Sequence, residues 1–207
     1  MSMAGVGLWR GDAPLVLASR SEVRGKVLAA AAIPLEIMPA QIDERAVEAQ
    51  SGVTAPDRVA VTLARAKALA ISAQLPGRVV LGADQTLALA EQRFSKSRGR
   101  DGAAAQLRAL AGKTHALHSG IALARDNRIL FEHCATARLR MRALDDAMID
   151  TYLDAAGDAA LSSVGAYQIE GPGIHLFETV EGDYFTIVGM PLLPLLAYLR
   201  QAKLVAV

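Results

Sequence analysis

Residues 79 to 83 read Val-Val-Leu-Gly-Ala, an apolar run that ends on Asp84. The run is too short for a helix and lacks the alternation of a strand with one wet face, so it predicts a strand buried on both sides. Helices and strands interleave around it. Leu15 to Ala18 is a second short buried-strand pattern, and Ser21 is suited to cap a helix from Glu22 to about Ala32, stopped before Pro34. Pro56 fits the first position of a longer helix in which Val59, Leu63, Ala66 and Ala70 recur at helical spacing, ending near Pro76 and Gly77. From Asp101 the stretch GAAAQLRALAG predicts another helix, with Gly112 just past its end. Thr114 to Ala124 and Ile129 to Arg142 predict a long hairpin turning at Asp126 and Asn127. Asp145 to Ala156 is amphipathic and closed by Gly157. Val164 to Glu170 and Ile174 to Val180 read as short strands, and Pro191 to Ala202 as a closing helix. The order predicts a mixed α/β fold.

The chain has 207 residues, 52% hydrophobic and 4% aromatic, with no linker or low-complexity tract dividing it. Residues 1 to 13, broken by Gly5, Gly7 and Gly11, read as an N-terminal extension, and 14 to 207 as a single domain. Lys and Arg number 22 against 21 for Asp and Glu, a net charge of +1, which argues against coating nucleic acid or an anionic membrane through bulk charge. An anionic ligand must then be held locally. One cysteine, Cys134, cannot form an internal disulfide, no apolar run approaches the roughly 20 residues of a membrane span, and the N-terminus lacks a signal-peptide pattern. A cytoplasmic protein is the expectation.

Four places carry more polar specificity than packing needs. In LASRSEVRGKVL, residues 17 to 28, a strand runs through two serines into a helix whose opening turns hold Arg24 and Lys26. Free amides and the positive end of a helix dipole suit a phosphate, although an ordinary N-cap with solvated basic residues reads the same way. In VVLGADQT, Asp84 follows a buried strand, where open α/β sheets put their ligands, and could ligate Mg²⁺ or orient a water; the alternative is a turn aspartate. Lys67 stands beside the apolar stripe of its helix and Lys96 in the loop FSKSRGR, positions where lysines are mostly solvated. Residues 164 to 192 are broken by Gly165, Gly171, Gly173, Gly182 and Gly189, which suits tight turns around a pocket or a compact antiparallel lobe.

Other signals point away from chemistry. His115 and His118 are three apart on a strand and face opposite ways, so they cannot chelate one metal. Cys134 has no histidine pattern to activate it and reads as a small buried residue. Arg138, Arg140 and Arg142 share one strand face without interleaved aromatics, as a solvated face does.

Taken in order, LASRSEVR, IDER at 42 to 45, LARAKA at 63 to 68, LGADQT at 81 to 86, FSKS at 94 to 97, LAGKTHALHSGIAL at 110 to 123, VGAYQIEG at 164 to 171 and GDYFTIVGMPL at 182 to 192 resemble the Maf family of nucleoside triphosphate pyrophosphatases. The resemblance runs from Leu15 to Leu204. It implies a mixed α/β protein with an elongated sheet flanked by helices and a cleft between two lobes. The implied reaction cleaves a nucleoside triphosphate to monophosphate and pyrophosphate with a divalent metal, Mg²⁺ or Mn²⁺. Asp84 falls on the family's proton acceptor, Ser19, Arg24, Lys67 and Lys96 on its phosphate contacts, and Glu44 with Asp84 on metal-holding positions. A homodimer is a further expectation from the resemblance.

Departures from the family pattern bear on the base. Glu22 and Val23 stand where a proline and the first arginine are common, Gln85 follows Asp84, Ser163 replaces a lysine, and Glu170 stands at a glutamine of the dTTP/UTP branch. The branch acting on 7-methyl-GTP is similar at these points, so Val23, Gln85 and Glu170 are the expected specificity positions. A physical reason agrees: guanine offers N1–H and N2–H₂ donors side by side, which one carboxylate accepts as a pair, and N7 methylation adds charge and acidifies N1. The other readings are a dTTP/UTP pyrophosphatase, a non-catalytic nucleotide-binding regulator of cell division, and a structural α/β domain.

Overall fold

The computed structural model describes residues 7–207. Seven strands form one open mixed sheet in the order β2-β1-β3-β5-β6-β7, with β4 paired to β3 off that path. β1 (Leu15–Leu17) and β2 (Leu35–Ile37) are parallel and joined through helix α1 (Glu22–Ala30). Helices α2 (Glu44–Ser51) and α3 (Pro56–Ser72) then carry the chain to β3 (Val80–Leu89), parallel to β1 on its other side. Everything beyond is antiparallel: β4 (Gln92–Phe94) and β5 (Thr114–Arg125) pair with β3, β6 (Arg128–Met141) with β5, and β7 (Phe177–Glu181) with β6. Helices α4 (Gly99–Leu110), α5 (Asp146–Ala156), α6 (Tyr184–Ile187) and α7 (Leu192–Gln201) flank the sheet. The α/β expectation is met. No helix among the described residues is long and apolar enough to cross a membrane.

Of four apolar clusters among the described residues, two are large. One gathers Leu15, Leu17, Leu28, Leu81, Ile121, Leu195 and Leu199 around β1, β3, α1 and α7. The other gathers Leu87, Leu107, Leu139, Met141, Ile149 and Tyr167 between the far half of the sheet and α4 and α5. Helix α3 approaches β3 and β5 most closely at small residues, Ala64 and Ala68 of the helix packing beside Ala122 and Ala124 of β5. A Cβ on Gly82 would stand 2.0 Å from the Ala64 carbonyl oxygen, and one on Gly120 2.5 Å from the Ala60 carbonyl carbon. Glycine is what lets helix and strand backbones touch.

Three sequence expectations need correction. The strand beginning at Val79–Ala83 runs on to Leu89, so Asp84 lies within it rather than past its end. The polar residues there are tolerated because each finds a partner: Asp84 meets Lys67, Gln85 meets Ser119, and Thr86 Oγ1 donates to the Pro56 carbonyl. Val164–Glu170 is not a strand. Gly165 and Ala166 both take left-handed conformations, φ 81° and 60°, which end pairing after the single Val164–Lys96 bridge. Within 174–180, residues Pro172–Leu176 coil as a 3₁₀ turn before β7 begins. The hairpin turn at Asp126 and Asn127 has positive φ at both residues, as a two-residue turn of this hand requires. Helix α1 stops at Ala30, with Ala32 left-handed at φ 57°. Of the proposed N-terminal extension, residues 1–6 lie outside the described residues, while Trp9 bridges to Val205 and Arg10 N–H donates to the Leu204 carbonyl at 2.8 Å.

Candidate functional site

A cleft of about 1220 Å³ is lined by the start of α1, by α2, β3, the 93–96 segment and residues 162–170, and every site residue named from the sequence lines it. On one wall, Ser21 caps α1 by accepting from Arg24 N–H, and Ser19 Oγ, buried at the end of β1, accepts from Arg24 Nη1 at 3.1 Å. The same guanidinium reaches Ala83 O from Nη1 at 2.8 Å and Gly189 O from Nε at 2.9 Å. Arg24 therefore ties β1, β3 and the turn before α7 together. A Cβ on Gly189 would lie 3.0 Å from Nη2. Burial pulls the Arg24 pKa down from 12.5, and Asp84 and Glu44 oppose this. Val23 stands half-buried in the same helical turn.

At the floor, Lys67 of α3 points between two carboxylates. Its Nζ lies 2.5 Å from Asp84 Oδ1 and 2.6 Å from Glu44 Oε1, with the Lys67 and Asp84 side chains only 12% and 14% exposed. Burial pushes the Asp84 carboxyl above the usual range, against the pull of Lys67 and Arg24 and with a further push from Glu44. A carboxylate so placed holds a proton more readily than a surface aspartate, which suits a group that must accept one. Asp43 caps α2 by accepting from Ala46 N–H and so fixes Glu44 in the first turn.

Among the described residues, no group of three His, Cys, Asp or Glu could hold a metal unaided. Glu44 and Asp84 nevertheless converge on one positive charge. That donor set fits Mg²⁺ or Mn²⁺, which are commonly held by one or two carboxylates while a phosphate ligand and waters fill the other positions.

Gln85, the next residue along β3, faces the other way. Its Nε2 donates to Ser119 Oγ at 2.8 Å and to the carbonyls of Ile187 and Thr186 at 2.9 and 3.1 Å. It holds the end of α6, two residues before the Gly189 carbonyl that Arg24 grips. On the opposite wall, exposed Lys96 is bridged to Val164, which brings the FSKS loop beside the segment bearing Glu170, itself exposed to the cleft.

The sequence reading missed a second ion pair on the rim, Arg93 Nη2 to Glu48 Oε2 at 2.6 Å. Glu48 follows Glu44 by one helical turn, and this acidic pair at i and i+4 was the available signal. Arg20 and Arg45 also line the cleft, which concentrates positive charge in a nearly neutral chain. His115 and His118 do face apart, contacting Tyr167 and Thr136. Cys134 is half-buried rather than buried, its thiol pushed up to about 11 by desolvation. Arg138, Arg140 and Arg142 are exposed; Arg140 pairs with Glu178 and Arg142 donates to the His175 carbonyl.

Residues 14–202 match the family model described as Maf-like protein. A nucleoside triphosphate pyrophosphatase of Nitrobacter winogradskyi is 56% identical over 201 residues, 97% of this chain and 100% of that protein. Another so named, from Rhodopseudomonas palustris, is 56% identical over 96% of this chain and 98% of its own length. A 7-methyl-GTP pyrophosphatase of Brucella abortus is 53% identical over 91% of this chain and 96% of its own length. With the family model spanning residues 14–202 and relatives 56% identical nearly end to end, the chain belongs to the Maf-like protein family.

Proposed function

We propose that this chain is a nucleoside triphosphate pyrophosphatase in which Asp84 is the proton acceptor and Glu170 reads a guanine-type, 7-methylated base. The observation that carries the reading is the floor of the cleft: a buried carboxylate of raised pKa, one ammonium and a second carboxylate within 2.6 Å of that ammonium. Cleaving between the α- and β-phosphates needs a base for water and positive charge for the departing pyrophosphate. Asp84 takes a proton from water while the water oxygen bonds to the α-phosphorus. The bond from that phosphorus to the bridging oxygen breaks, and pyrophosphate leaves with the electron pair. Ser19, Arg24 and Lys67 on one side and Lys96 on the other hold the triphosphate oxygens. When bound by Glu44 and Asp84, Mg²⁺ or Mn²⁺ would supply charge neutralisation of those oxygens.

For the base, Glu170 offers the two acceptors that the guanine N1–H and N2–H₂ edge needs, and the N7-methylated ring adds charge attraction. The name of the Brucella abortus relative supports this choice. Val23 lines the same cleft without a charge, and Gln85 acts on specificity through the Thr186 and Ile187 backbone it grips. Turnover of 7-methyl-GTP, GTP, dTTP and UTP, measured by pyrophosphate release, tests the assignment. 7-Methyl-GTP is expected to lead, and Glu170→Gln is expected to cut its kcat/KM about 10-fold or more relative to UTP. Faster turnover of dTTP or UTP by the unmodified chain would overturn the base assignment, and nucleotide binding without turnover would favour a regulator.

A further inference from the structure

Behind the segment that bears Glu170 lies a buried polar contact that packing alone does not call for. His115 of β5 is 2% exposed inside the apolar cluster of α4, α5 and β6, and its Nε2 lies 2.7 Å from the Tyr167 hydroxyl. Among the described residues its Nδ1 has no partner. Burial lowers the imidazole pKa to about 4, so the ring is neutral near pH 7. Phe177 completes a three-ring cluster, its centroid 4.8 Å from Tyr167 edge-on and 6.0 Å from His115.

Tyr167 also lines the cleft, three residues before Glu170. The backbone leading to it is strained, with Ala166, a residue bearing a Cβ, at φ 60°. Side chains from α4 and α5 hold that path. Gln106 Oε1 accepts from Gly165 N–H at 3.0 Å, and Tyr152 Oη donates to the Ala166 carbonyl at 3.1 Å. Beyond Tyr167 the chain folds tightly on itself: a Cβ on Gly173 would stand 2.3 Å from the Gln168 carbonyl oxygen. Nothing in regular secondary structure fixes residues 164 to 171, so these contacts must.

We infer that His115 is a positioning residue for base recognition: its hydrogen bond to Tyr167 sets the height and angle at which the 165–170 segment presents Glu170 to the base. The inference rests on the reading of Glu170 given above. An aliphatic residue at 115 and a phenylalanine at 167 would fill the same space without an unpartnered ring nitrogen, so the pair keeps a polar contact at a cost to burial.

The test compares discrimination, the ratio of the highest to the lowest kcat/KM among 7-methyl-GTP, GTP, dTTP and UTP, in four proteins. These are the unmodified chain, Glu170→Gln, Tyr167→Phe, and the double variant His115→Leu with Tyr167→Phe. The double variant removes both partners and so leaves no orphaned group to destabilise the fold. Tyr167→Phe is expected to reduce discrimination about 5-fold or more, chiefly through KM for the preferred nucleotide. The double variant is expected to regain the melting temperature without regaining discrimination. Should Tyr167→Phe fail to fold, the double variant alone decides. Discrimination within twofold of the unmodified chain in the folded variants, with Glu170→Gln altered, would overturn the positioning role alone. Discrimination unchanged in Glu170→Gln as well would overturn the base reading itself.

Discussion

The two sides of the cleft are held in place by different physics. Lys67 and Asp84 stand on α3 and β3, regular elements whose backbones touch at Gly82, as α3 and β5 do at Gly120. Glu170 stands on an irregular run held by side chains from Gln106, His115 and Tyr152. Regular elements fix the carboxylate and ammonium to the few tenths of an ångström that proton transfer and phosphate binding need. An irregular segment with side-chain anchors can change its residues while the sheet stays intact, as loops on rigid scaffolds do. On the function proposed above, the difference separates the chemistry from the choice of base.

The first way to break this comparison strikes the backbone contact. Gly82→Ala puts a Cβ 2.0 Å from the Ala64 carbonyl oxygen, which neither helix nor strand can yield without parting. The expected loss is about 3 kcal/mol or more of unfolding free energy by chemical denaturation. A change within about 0.5 kcal/mol would mean that the helix–strand contact is softer than described. The anchored side should respond less. Tyr152→Phe removes the donor to the Ala166 carbonyl but keeps the ring in its cluster. It is expected to cost about 1 kcal/mol, or roughly 2–4 °C in Tm. A loss as large as that of Gly82→Ala would erase the distinction between the two regions.

How far the sequence reveals the molecule follows the same division. The apolar run at Val79–Ala83 and the helical stripe through Val59 and Leu63 announce β3 and α3, because burial on both faces and a 3.6-residue period leave plain patterns. The long hairpin was legible from a different pattern, the alternation along β6 with one covered face, and its turn from Asp126 and Asn127. Residues 164 to 176 were not. Apolar residues there alternate like a strand, yet Gly165 and Ala166 turn left-handed and Pro172 opens a 3₁₀ turn, and those choices are set by contacts from α4, α5 and β5. Three-residue strands such as β2 and β4 carry too few residues for any period.

The site divides likewise. Motif order brought Ser19, Arg24, Lys67, Asp84 and Lys96 to one cleft, but the spacing from 44 to 67 to 84 could not reveal that Lys67 bridges Glu44 and Asp84. That bridge exists because α2 and β3 meet on either side of α3. The inward turn of Gln85 toward Ser119 and the α6 carbonyls was equally hidden, since it depends on a partner 34 residues away.

The central claim, that Asp84 is the proton acceptor, is tested most directly by pyrophosphate release from 7-methyl-GTP with Mg²⁺, measured against pH in the unmodified chain and in Asp84→Asn. Only the ionised carboxylate accepts a proton, so activity of the unmodified chain should fall as pH drops into the range where Asp84 becomes protonated. Asp84→Asn should lose about 10²–10⁴-fold in kcat at every pH while its melting transition stays cooperative. A variant that keeps kcat within about threefold of the unmodified chain, with the same acid limb, would contradict the assignment.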